Sequence, residues 1–160
     1  MRTSDSDDFF KDFPRLRGTQ YTEMSPVDAR YNCFAWAVGA INCRWDPCYP
    51  WFWPRGCPRE VTISAFVQAF GTLGYEPCDY GRLETGYDKI VLYMNKGEPT
   101  HAARQLRNGR WTSKLGKDVD IEHKVKDLEG PRYGKIAMYF RRPRQKRIAT
   151  IKRIQPLNSC

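Results

Sequence analysis

The hydrophobic rhythm of this chain changes once, between residues 74 and 89, and that change restricts what it can fold into. Ahead of it, Ile63, Phe66, Val67, Phe70 and Leu73 recur at helical spacing, with Thr62 as an N-cap and Gly74 as a stop. Behind it the spacing becomes that of strands: Lys89–Met94, Thr100–Leu106, Arg110–Leu115 and Tyr133–Phe140. Asn108-Gly109 is a hairpin signal that pairs the second of these antiparallel with the third. Helices followed by a small antiparallel sheet of about four strands is the α+β class.

A second helix is expected at Asn32–Ile41, where Phe34, Ala37, Val38 and Ile41 share a face and Asn32 is placed to cap. Between the two helices, Cys43–Pro58 carries four prolines among Trp45, Tyr49, Trp51, Phe52 and Trp53. Prolines so dense exclude a regular helix or a central strand. The segment reads as an ordered aromatic loop, either clamped over the core or walling a groove. Residues 1–13 read as a polar leader, 14–142 as one domain and 143–160 as a basic tail. With 41% hydrophobic and 14% aromatic residues the chain can build a core, which excludes extended disorder.

The formal charge of +9 is uneven. Residues 1–100 hold 11 Lys and Arg against 13 Asp and Glu, whereas residues 101–160 hold 16 against 5. No acidic residue follows Glu129, so the tail is suited to phosphates or acidic surfaces, or serves solubility. No apolar run is long enough for a membrane span, and the acidic N-terminus is unlike a secretory signal. The expected location is the cytoplasm as synthesised, with non-classical export left open. Reduced thiols are then the default for the six cysteines. Cys43, Cys48, Cys57 and Cys78 lack the tight pairing of structural zinc sites, which leaves zinc a weak alternative.

Of those cysteines only Cys33 opens a predicted helix, where unpaired N–H groups favour a thiolate. Only two histidines exist, His101 and His123, and His101 lies near the start of a central strand among small alanines. A helix-opening cysteine facing a strand histidine is a recipe for a thiol nucleophile and its base. The Cys33 N–H would then stabilise the oxyanion. A buried, inert cysteine and an ordinary strand histidine are the plainer alternative.

Tyr31-Asn32-Cys33 opening an apolar helix, with His101 on a hairpin strand, resembles the papain-like thiol hydrolase superfamily, in its compact bacterial amidopeptidase and amidase branch. The phrases Tyr-Asn-Cys-Phe-Ala-Trp-Ala and Thr-His-Ala-Ala-Arg-Gln-Leu also resemble an uncharacterised bacterial domain family over roughly residues 30–142. The superfamily resemblance implies helices, nucleophile helix first, packed on the small sheet. It also implies Cys33 as nucleophile, His101 as base and a polar third residue on the next strand. The hairpin register puts Ser113 nearest to His101, with Asp118, Asp120 and His123 just beyond, and Asp120 as the alternative third residue. Tyr31 matches an aromatic position that could donate to the oxyanion, Asn32 caps or supports, and Trp51 and Trp53 could wall a substrate groove.

The resulting expectation is a cysteine hydrolase of peptide, amide or thioester bonds, with deamidation or acyl transfer open to the same site. It needs no metal or organic cofactor, and both a housekeeping enzyme and a delivered toxin fit it. The rival is an inactive basic module for nucleic acid or an acidic protein.

Overall fold

The computed structural model describes residues 3–115 and 119–145. Its centre is a sheet of seven strands, all neighbours antiparallel: β1 (Thr22–Ser25), β2 (Glu76–Cys78), β3 (Tyr87–Asn95), β4 (Glu98–Gln105), β5 (Trp111–Lys114), β6 (Asp120–His123) and β7 (Lys135–Pro143). They lie in the order β1-β6-β5-β4-β3-β7-β2. The helices are α1 (Thr3–Asp12), α2 (Cys33–Val38) and α3 (Ile63–Gly71).

This corrects the expected fold. The protein is β-rich, not a papain-like stack of N-terminal helices on a four-strand sheet. The three unexpected strands explain the difference. Strand β1 (Thr-Glu-Met-Ser) and strand β2 (Glu-Pro-Cys) are mostly exposed, and β6 (Asp-Ile-Glu-His) has a single aliphatic residue. Their place is fixed by backbone ladders to β6, β7 and β5, not by an apolar alternation of their own.

Both faces of the sheet are covered. On one, α2, α3 and the aromatic loop bury Phe34, Trp36, Phe66 and Phe70 against Ile90, Leu92, Ala102 and Phe140. The loop is a clamp: Trp45 and Trp53 are buried, and the Trp53 ring meets Phe66 edge-on at 4.9 Å. On the other face, Phe13 and Leu16 pack with Val91, Tyr93, Trp111, Ile121 and Tyr133, flanked by Phe9 and Phe10 of α1. Residues 3–12, read from the sequence as part of a leader, are thus a helix whose phenylalanines join this cluster. No helix among the described residues is long and apolar enough to cross a membrane. Most of the sequence's basic tail, residues 146–160, lies outside the described residues.

Candidate functional site

Asn32 sets the geometry at the start of α2. Its Oδ1 accepts from the Ala35 N–H at 3.1 Å, capping the helix, and from the Trp45 N–H at 3.0 Å. Its Nδ2 donates to the Trp45 carbonyl at 2.8 Å. One side chain therefore ties the helix start to the aromatic loop. Gly39 ends α2 after six residues with a φ of 82°. Cys33, the first helical residue, opens on a cleft of about 640 Å³ that Arg44, Asp46, Thr100 and Tyr133 also line.

The sheet is interrupted beside this point. Among the described residues, β4 and β5 share only the pairs Arg104–Thr112 and Gln105–Trp111, and α2 packs on both strands. The Cys33 sulfur sits against the backbone N–H of Ala102, with those of Phe34 and Cys33 also directed at it. Burial nevertheless pushes the thiol up to about 12, against the pull of these N–H groups and of Arg44. At rest Cys33 is a neutral thiol.

His101 follows a different path. Alternation along β4 sends Ala102 toward α2 and His101 to the opposite face, where its ring stacks on Tyr133 at 3.9 Å and 7°. His101 is fully buried, and its Nε2 lies 2.9 Å from Ser113 Oγ. Ser113 Oγ lies 2.7 Å from His123 Nε2, and His123 Nδ1 lies 2.7 Å from the Lys124 carbonyl. Burial drives both imidazoles toward the neutral form, His101 well below its ordinary value and His123 down to about 4.

These contacts fix every proton in the chain. The Lys124 carbonyl can only accept, so His123 carries its proton on Nδ1 and offers a lone pair at Nε2. Ser113 donates its hydroxyl proton to that lone pair. Its oxygen must then accept from His101, whose proton is on Nε2. What is left is a bare Nδ1 lone pair on His101, buried and without a hydrogen-bond partner among the described residues. A buried unpaired acceptor is unfavourable by about 1–3 kcal/mol and calls for a reason.

The sequence candidates fall into three groups. Ser113 is joined to His101, and His123, placed by the sequence only beyond the strand, completes the relay. Tyr31 and Asp120 are joined to each other: the Tyr31 hydroxyl donates to Asp120 Oδ2 at 3.0 Å, away from His101. Burial and that carboxylate push Tyr31 up to about 12. Trp53 is part of the core, its Nε1 donating to the Pro58 carbonyl, while Trp51 is exposed beneath the Arg44 guanidinium at 4.7 Å. Asp118 lies outside the described residues. Among the described residues no three His, Cys, Asp or Glu side chains converge as metal ligands; Cys33, Cys48, Cys57 and Cys78 are free thiols, whereas Cys43 is disulfide-bonded, against the reduced state expected of it.

Among known proteins, complement component C7 of the mouse is 33% identical over 57 residues, which is 36% of this chain. That stretch spans 7% of the length of C7. No solved structure matches. The family described as "Domain of unknown function (DUF7689)" matches residues 22–141, from β1 into β7, and the chain belongs to that family.

Proposed function

We propose that this protein is a cysteine hydrolase of amide, peptide or thioester bonds, with Cys33 as nucleophile and His101 as base. The supporting observation is the His101 imidazole, held by Ser113 and His123 in the tautomer that leaves Nδ1 bare. No hydrogen bond joins the thiol to that nitrogen at rest. Since the thiol is neutral, the reaction starts from thiol and imidazole. Cys33 and the Tyr133 ring that stacks on His101 line the same cleft beside the break between β4 and β5. Across that break the S–H proton passes to Nδ1 as the sulfur bonds to the substrate carbonyl carbon. The oxygen takes the negative charge near the N–H groups that face the sulfur. The leaving amine or thiol takes the proton back from Nδ1, and water releases the acyl group by the same route. Another nucleophile in place of water makes the same site an acyl transferase.

The test is acyl transfer from a small activated thioester, read by peptide mass spectrometry. The acyl group is expected on Cys33, and Ser113→Ala is expected to slow its arrival by about 100-fold through loss of the tautomer. Acylation confined to the exposed Cys48, or a rate indifferent to Ser113→Ala, overturns the reading.

A further inference from the structure

At the other end of α2 is a second groove, of about 400 Å³, bordered by Gly39, Tyr75 and the strand ends of β3, β4 and β7. Four arginines line it: Arg104 in β4 and Arg107 just past it, Arg142 in β7 and Arg144 just past it. A single carboxylate, Asp88, lies in the described lining, 3.2 Å from Arg144 Nε and 3.5 Å from Arg142 Nε. Lys89 is also present, its ammonium paired with Glu84 at 3.2 Å.

The positive charge is therefore incompletely matched. Arg104 and Arg107 form no ion pair among the described residues. The Arg104 guanidinium carbon sits over the Trp36 ring, 4.5 Å from its centroid, and the buried Nε has no hydrogen-bond partner among the described residues. Arg142 is held over Tyr75 at 4.5 Å and donates to the Leu73 carbonyl, while its own Nε makes no hydrogen bond. Burial acts against the Arg104 charge and lowers its pKa, a strain that an anion would relieve. Guanidinium forks arriving from two strands and held by aromatic rings suit an anion with several oxygens and more than one negative charge. One carboxylate would occupy a single fork.

We propose that this groove binds the phosphate group of a small phosphorylated ligand, with Arg104 and Arg142 as its fixed donors and Arg107 closing over it. The site is separate from Cys33, at the opposite end of α2, and does not depend on the cysteine chemistry. A confined groove favours a small ligand over a nucleic-acid strand, whose recognition needs a track of phosphate contacts.

The experiment titrates the full chain with inorganic phosphate, acetate and a short DNA duplex at constant ionic strength, following the arginine Nε–H signals by NMR. Phosphate is expected to saturate and to shift Arg104 and Arg142 Nε–H. Arg104→Gln and Arg107→Gln are each expected to weaken it by about tenfold, the effect of about one charge-assisted hydrogen bond. Arg107 is exposed, so its variant keeps the fold, and exposed Arg55→Gln serves as an unaffected control. Equal response to acetate, saturation by the duplex alone, no saturation by phosphate, or unchanged affinity in Arg107→Gln and Arg104→Gln overturns the proposal.

Discussion

His123 shows how one buried residue sets both the chemistry and the acid stability of the site. Its folded pKa is near 4, while an unfolded histidine titrates near 6.5. Below 6.5 the unfolded chain therefore binds more protons. The stabilisation is fully present above about pH 6.5 and is lost as pH falls toward 4, by about 3 kcal/mol in all. His101 shifts in the same direction and adds to the slope. His123→Gln retains an acceptor for the Ser113 hydroxyl and removes one titration. The difference in Tm between pH 7 and pH 5 is expected to shrink in this variant. An unchanged difference in thermal melts would contradict the neutral-histidine assignment. Ser113 was legible in the sequence because Asn108-Gly109 fixes the register of β5 against β4; Gly109 has a φ of 83° and the Asn108 side chain accepts from the Arg110 N–H. The role of His123 was not, because it depends on β6.

At the level of elements, what the sequence revealed depended on whether an element carries its own signal. The cap residues made the starts of α2 and α3 readable: Thr62 accepts from the Ala65 N–H as Asn32 does from Ala35, but α2 stops at Gly39, short of the expected Ile41, which is exposed. The long strands β3, β4 and β7 and the hairpin strand β5 were readable from their apolar residues and the turn. Strands β1, β2 and β6 are three or four residues long and largely polar, and take their conformation from their neighbours. The aromatic loop left two readings open, and the side chain of Asn32 explains which one holds for its buried part. Two of its three hydrogen bonds reach Trp45, 13 residues on in sequence, a pairing no local pattern reveals; the third is the cap bond from Ala35. Asn32→Ala removes the helix cap and leaves the Trp45 N–H and carbonyl unpaired. The expected loss is about 3 kcal/mol in urea denaturation, against about 1 kcal/mol for a cap alone. A loss no larger than a cap's would mean that Asn32 does not hold the loop.

Across the whole molecule, the two faces of the sheet divide the work. The face carrying α2 and α3 positions Cys33, whereas the opposite face encloses His101, Ser113 and His123 beneath Tyr133 and Phe13. Phe13 packs on Tyr133 at 5.2 Å, and Tyr133 on His101 at 3.9 Å, so the N-terminal segment backs the imidazole from outside. Its polar, acidic composition hid this role, because among its described side chains Phe9, Phe10 and Phe13 are the ones that pack into the core. Removing residues 1–13 deletes those rings and exposes the far side of Tyr133. A fall of about 10 °C in Tm is expected from the lost apolar burial. A truncated chain that melts like the full one would show that the segment does not brace the sheet.

Whether Cys33 and His101 act as a pair is tested most directly by site-resolved alkylation across pH 5 to 9. A paired thiol and imidazole exchange one proton between them, so the reactive thiolate–imidazolium fraction is the same at every pH between their two titrations. The predicted Cys33 rate is flat over this range and drops in His101→Gln. An unpaired thiol raised to about 12 reacts through its own rare thiolate, with a rate that climbs about tenfold per pH unit. That slope, or a rate that ignores His101→Gln, would contradict the account.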